Sequence, residues 1–161
     1  MLYKVIDNFL EKEEFLKLKE FVKSDYFPWF FQNEINNNHI NRDDFYFTHI
    51  LYIDNRVNSP FYEKFSILLK KINCKALIRL KTNFYTKTKK VQIHEPHKDY
   101  DFKHNGCIFS FNTCDGYTLL KDGTKINSIE NRILFFDPSI EHSSTSCTND
   151  KGRLNVNINY F

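Results

Sequence analysis

From Ala76 onward the period of the apolar side chains changes to two, and only extended strands with two distinct faces satisfy that period. In ALIRLKTNFY (76–85), Arg79, Lys81, Asn83 and Tyr85 alternate with Ile78, Leu80, Thr82 and Phe84. In RLNVNINYF (153–161), Arg153, Asn155, Asn157 and Asn159 share one face, and Leu154, Val156, Ile158 and Tyr160 share the other. GCIFSFNT, Tyr117–Leu120 and RILFFD read as further short strands, with Asp115-Gly116 and Asp122-Gly123 as hairpin turns around the middle one. All four glycines (Gly106, Gly116, Gly123, Gly152) fall in this last third, where tight turns are concentrated.

The first half reads differently. Residues 9–23 carry Leu10, Phe15, Leu18, Phe21 and Val22 at helical spacing, with Asp7 or Asn8 as N-cap. A second helix is predicted from Ser59-Pro60 through Phe65, Leu68, Leu69 and Ile72, with Ser as cap and Pro at the first helical position. The pattern predicts a mainly β fold with supporting N-terminal helices, a sandwich or barrel. It is one domain over 1–161, in which 1–75 is helical and mixed support and 76–161 the β-rich core.

A chain of 161 residues buries a core without disulfides or structural metal. The net charge of +3 is too small for a dedicated nucleic-acid surface. Cys74, Cys107, Cys114 and Cys147 form no C-x-x-C pair, so buried free thiols are expected rather than a zinc ribbon. MLYKVIDNFLEKEE becomes charged before any apolar signal region forms, and no membrane-length apolar run follows. These features suggest a reducing cytoplasm, that of a host cell if the chain is viral, and no membrane partner.

Residues 94–101, HEPHKDYD, hold two of the six histidines and two aspartates. As a solvated loop this needs no function. On an extended segment, however, His97 and Asp99 point the same way and Lys98 points away. A metal site open for oxygen chemistry needs two His and one carboxylate on one face of an Fe(II) ion. His142, after RILFFD, is the candidate third ligand; His104 lies too close to the first pair. Eleven residues on, Arg153 offers a planar fork for the far carboxylate of a dicarboxylate co-substrate that chelates the metal through its other end.

On His97-Lys98-Asp99, His142 and Arg153, within 76–161, the sequence resembles the Fe(II)/2-oxoglutarate-dependent oxygenases, particularly short prolyl-4-hydroxylase-like members of bacteria and phages. The resemblance implies a double-stranded β-helix (jelly roll), with 76–161 as its catalytic core. It implies His97, Asp99 and His142 as metal ligands and catalytic residues, and Arg153 as the 2-oxoglutarate anchor. Because such enzymes use a Tyr or Asn on a preceding strand, it makes Tyr85 and Asn83 co-substrate residues. Fe(II) and 2-oxoglutarate are the implied cofactors, with room for ascorbate. The implied reaction hydroxylates a prolyl residue of a peptide or protein, or else a small molecule, with release of succinate and CO2. Asn155, Asn157 and Asn112 are candidates to hold the imidazoles in one tautomer.

Other readings share some of these residues. A nucleic-acid dealkylase of the AlkB-like branch would also explain the triad and Asn83-Phe84-Tyr85, but the terminal strand lacks the second arginine such enzymes carry. A non-catalytic metal- or sugar-binding jelly roll predicts metal without turnover. In a plain interaction domain YFPWFF (26–31) would dock a partner, although those rings suit a core or one wall of a substrate entrance. Lys87, Lys89 and Lys90 read as a solvated loop leading into His94, able to gate the site. His94 and Glu95 are expected at the surface or behind the ligands, and His39 and His49 are unassigned.

Overall fold

The computed structural model describes residues 3–35 and 45–161; His39 lies outside them. Its centre is β11 (Gly152–Tyr160), the strand whose alternation is clearest in the sequence. β11 pairs antiparallel with β5 (Leu77–Thr86) on one side and β6 (Asn105–Ser110) on the other. Flanked twice, it has no solvent edge, and all nine of its residues are buried.

Outward from this centre the sheet continues through β9 (Ile133–Phe136) to β1 (Tyr3–Ile6). In the other direction it runs through β3 (Tyr46–Ile53) to β2 (Phe30–Gln32), with β4 (Arg56–Val57) also on β3. A second sheet of three antiparallel strands, β10 (His142–Ser143), β7 (Tyr117–Leu120) and β8 (Lys125–Asn127), completes the jelly roll. The Asp122-Gly123 turn joins β7 to β8, and Gly123 has the positive φ of 86° that this turn favours in glycine. Asp115-Gly116 is not a hairpin turn. There Asp115 instead accepts bonds from the backbone and hydroxyl of Thr148, tying two loops together.

The first half contributes more strand than its sequence suggests. β1 pairs along β9, and β3 pairs along β5, so 1–75 builds both flanks of the main sheet. β1 is only four residues long, and β3 has a register shift between Ile50 and Tyr52 that interrupts strict alternation.

The apolar face of β11 packs Val156 and Ile158 against Leu80, Phe109, Phe65 and Leu68, and against α1 (Lys12–Lys23) through Phe15, Leu18 and Val22. Each such fully buried side chain contributes roughly 1.5–3 kcal/mol. The helix has the predicted apolar stripe but not the predicted cap. Asp7 forms a two-point ion pair with Arg132 at 2.5 and 2.8 Å, and Asn8 is left-handed. Entry to the helix is set by the Asn131 amide, which bonds both the N–H and the carbonyl of Leu10 at 2.9 Å. Ser59 Oγ does accept the Phe61 N–H as expected, and the segment starts as a 3₁₀ turn (Tyr62–Phe65) before α2 (Ser66–Lys71).

Within YFPWFF, Phe27 is buried and Trp29 packs on the core, whereas Tyr26, Phe30 and Phe31 are exposed. The cysteines are free, with Cys107, Cys114 and Cys147 buried and Cys74 half-buried. Among the described residues no helix is long and apolar enough to cross a membrane.

Gly152 opens β11 and is not the turn residue its position suggests. A Cβ there would overlap the Phe84 ring and lie 2.7 Å from the Tyr85 carbonyl oxygen. Gly152→Ala is therefore expected to destabilise the fold by about 1–3 kcal/mol in urea unfolding; an unchanged midpoint would show that this close approach is not required.

Candidate metal and anion site

The polar faces of β5 and β11 lie side by side inside the jelly roll. Register places Arg153 beside Tyr85, Asn155 beside Asn83, Asn157 beside Lys81, and Asn159 beside Arg79. A face that could have met water is instead the floor of an enclosed site, and Asn155, Asn157 and Asn159 are all buried. The hydrogen bonds that burial demands are made largely among these residues. Asn83 Nδ2 donates to Asn155 Oδ1 at 2.9 Å, and Asn159 Nδ2 to Asn157 Oδ1 at 2.7 Å.

Across from this floor, His97 and His142 form an isolated antiparallel bridge. Each N–H donates to the other's carbonyl at 3.0 Å, which sets the two imidazoles side by side with ring centres 4.5 Å apart. Asp99 lies two residues on, its N–H bonded to the Pro138 carbonyl at 2.9 Å. One ligand atom from each of His97, Asp99 and His142 falls within 4.8 Å of the other two. Lys98 points outward, as alternation requires.

The donor set fits a divalent ion. His142 Nδ1 lies 3.1 Å from the Ile140 carbonyl, to which it can only donate, so its Nε2 lone pair is free to ligate. Burial, then the neighbouring His142, lowers His97 to about 4, and burial also lowers His142, so both rings are neutral near pH 7. Burial alone would raise Asp99. Arg79, His142 and the Asn157 amide outweigh it and hold the carboxyl well below the ordinary range. Arg79 Nη2 donates to Asp99 Oδ1 at 2.7 Å and Asn157 Nδ2 to Oδ2 at 3.0 Å, so the carboxylate is fixed through both oxygens. Two neutral imidazoles and one carboxylate, leaving coordination positions open, suit Fe(II).

Arg153 lies farther along the floor, 1% exposed. Its Nη2 donates to Thr118 Oγ1 at 2.8 Å and its Nη1 to the Thr145 carbonyl at 3.4 Å, while Nε has no partner among the described residues. Among the described residues no carboxylate pairs with it. Burying a cation without a counter-ion is costly, and burial draws its pKa down. Such a guanidinium fits an incoming carboxylate. Tyr85 lies against it, ring centre 5.9 Å away, and stacks on Tyr46 at 5.4 Å. Gly116 permits the close packing here, since a Cβ would stand 2.9 Å from Arg153 Cδ.

His94 is neither surface nor a bystander. It is buried, its Nδ1 is 2.8 Å from Ser144 Oγ, and its ring centre lies 5.1 Å from that of Tyr85. Burial, then Arg153, lowers it to about 3, so it stands as a neutral polar group between Tyr85 and the metal-side histidines. The preceding Lys87, Lys89 and Lys90 are exposed. His104 is excluded as a ligand because both ring nitrogens are engaged, with Phe102 O and Asn159 Oδ1. His49 is buried among Phe27, Phe30 and Phe61. The asparagines do not orient the imidazoles as expected: Asn157 holds Asp99, Asn155 holds Asn83, and Asn112 bonds Asp150 and the backbone of Gly152 and Leu154. His142 also borders a mostly apolar cavity of about 430 Å³ between Leu120, Phe136 and Ile140.

Because a protonated imidazole cannot ligate, ordinary histidines lose metal as pH falls through ~6.5. Because burial lowers both His97 and His142, the fall in Zn(II) affinity, corrected for the chelator, is expected to set in only below ~6.5. A decline setting in near ~6.5 would contradict this environment.

No protein-family model matches the sequence, and no curated protein does. Solved structures do match. One is a 2OG-Fe(II) oxygenase family oxidoreductase from Burkholderia pseudomallei, with TM-score 0.72 and 11% identity, covering 99% of this chain and 84% of that one. A second is a Trichoplax adhaerens prolyl hydroxylase in complex with a hypoxia inducible factor peptide fragment, with TM-score 0.71, 16% identity and coverage of 99% and 83%. A third is the viral collagen prolyl hydroxylase of Paramecium Bursaria Chlorella virus-1 in its 2OG complex, with TM-score 0.60, 15% identity and coverage of 99% and 95%. The resemblance carried by five residues of the sequence thus extends over the chain as a shared fold.

Proposed function

We propose that this chain is an Fe(II)- and 2-oxoglutarate-dependent dioxygenase that hydroxylates its substrate and releases succinate and CO2. The observation that carries this reading is a buried guanidinium, with no carboxylate partner among the described residues, on the floor that faces a two-histidine, one-carboxylate cluster. His97, Asp99 and His142 would hold the metal, and Arg153 the far carboxylate of 2-oxoglutarate. Bound Fe(II), with 2-oxoglutarate and O2, supplies the oxidising power that breaks a substrate C–H bond.

The chain's own residues bind, orient and exclude water. Arg79 and Asn157 keep Asp99 ionised and fixed, and the Ile140 carbonyl keeps His142 in its ligating tautomer. Tyr85 walls the Arg153 pocket, while Asn83, whose Oδ1 has no partner among the described residues, adds an acceptor to the floor. Residues 1–161 act as one catalytic domain in this reading, since both halves supply the sheet that carries the site. A prolyl residue of a peptide or protein is the lead substrate, in keeping with the peptide-bound Trichoplax relative. A small molecule is the runner-up. Four free cysteines suit a reducing compartment such as the cytoplasm.

Asp99→Ala is expected to abolish 2-oxoglutarate-dependent succinate formation while the folded circular dichroism spectrum persists; full succinate production would remove Asp99 from the mechanism. Arg153→Ala removes charge-assisted bonds of roughly 1.5–3 kcal/mol, so the KM for 2-oxoglutarate should rise about 10- to 150-fold. An unchanged KM would place the co-substrate anchor elsewhere.

A further inference from the structure

Lys81 is a cation of the site that neither the metal cluster nor the Arg153 pocket uses. It lies on the inner face of β5 between Arg79 and Asn83, directly across from Asn157 on β11 and from Ile50 on β3. Its side chain is half-buried, and its charge is felt by His97, Asp99 and His142. Among the described residues its ammonium makes no ion pair or hydrogen bond. Its neighbour there is the Tyr46 ring, with Nζ 5.9 Å from the ring centre.

The charges around it leave it unmatched. Arg79 is neutralised by Asp99 at 2.7 Å. Arg153 is matched by the far carboxylate of 2-oxoglutarate, whose other end goes to the metal. Lys81 remains beside Arg79, two residues away on the same face, and Asp99, already paired with Arg79, offsets their repulsion only in part. Burial, then Arg79, lowers the Lys81 ammonium to about 8, so it is still mostly charged near pH 7. A compact cation on a flexible stem suits a single anionic oxygen cluster, and the stacked Tyr46 and Tyr85 rings beside it supply a flat apolar wall.

We propose that Lys81 binds an anionic group, a carboxylate or phosphate, on the substrate itself, and so determines specificity. The inference rests on the oxygenase reading, because it assigns 2-oxoglutarate to Arg153. An anion on Lys81 would lie beside Asn157, the residue that holds Asp99, so the C–H bonds a few atoms from that anion face the metal cluster. A neutral prolyl residue deep in a peptide leaves this cation unmatched. A free carboxylate, a phosphate ester or a chain-terminal residue does not.

The test uses full-length protein loaded with redox-inert Zn(II), with and without saturating 2-oxoglutarate. Reductive methylation of Lys81 is followed by mass spectrometry, with the exposed Lys89 and Lys90 as internal references. N-acetyl-L-proline and inorganic phosphate are the carboxylate and phosphate probes, and N-acetyl-L-prolinamide is the neutral control. With 2-oxoglutarate bound, one of the two anions should slow methylation of Lys81 about tenfold and the amide should not. By calorimetry, Lys81→Met should weaken that anion about tenfold, whereas Lys81→Arg should retain it. The proposal is overturned by equal protection from the amide, by no protection from either anion, or by full protection from 2-oxoglutarate alone, which would assign Lys81 to the co-substrate. If 2-oxoglutarate fails to bind wild type but anions still protect Lys81, the oxygenase reading falls and the anion site stands.

Discussion

Two backbone hydrogen bonds set the geometry of the centre: His97 and His142 each donate to the other's carbonyl at 3.0 Å. The pairing turns two distant residues into a cross-strand pair, and side chains so paired lie on one face within reach of each other. Once that pair is fixed, strand alternation decides where Asp99 points. Three groups hold Asp99 there: Pro138 by its carbonyl, Arg79 from β5 and Asn157 from β11. The segment over the sheet and the sheet itself are thereby coupled through one carboxylate.

The central strand does two jobs with its two faces. Outward, Val156 and Ile158 anchor the apolar core that the N-terminal helices complete. Inward, Arg153 and three asparagines form a polar floor that is just as well buried. Burying that face is tolerable because the amides largely satisfy one another, but among the described residues Arg153 has a hydroxyl and a carbonyl to bond and no carboxylate. A sequence optimised for stability alone would not keep an unmatched guanidinium at this position. Its retention at an expense in stability is intelligible if a ligand supplies the missing charge.

Much of this site was legible because its parts lie on strands, where spacing translates directly into direction. His97 and Asp99 were singled out on that basis, His142 and Arg153 by what an open metal site and a dicarboxylate need, and Asn83 and Tyr85 by the family resemblance; the structure brings all six to one region. What could not be read is whatever depends on contact between strands. Arg79 looked like any polar-face residue until register placed it within reach of Asp99. His94 was left between the surface and a place behind the ligands because its burial comes from Ser144 and Tyr85, distant in sequence. β1 and β3 escaped notice since one is short and the other carries a register shift; the helix cap failed because the Asn131 amide controls the chain's entry, leaving Asp7 to pair with Arg132.

The most direct test is an anaerobic titration of the protein with Fe(II) and 2-oxoglutarate, watching for the visible charge-transfer band of the chelated co-substrate. The account predicts that the band forms in wild type and is lost in Asp99→Ala and His142→Ala. Metal binding without any such band would contradict it, and would leave a jelly roll that binds metal without oxygenase chemistry.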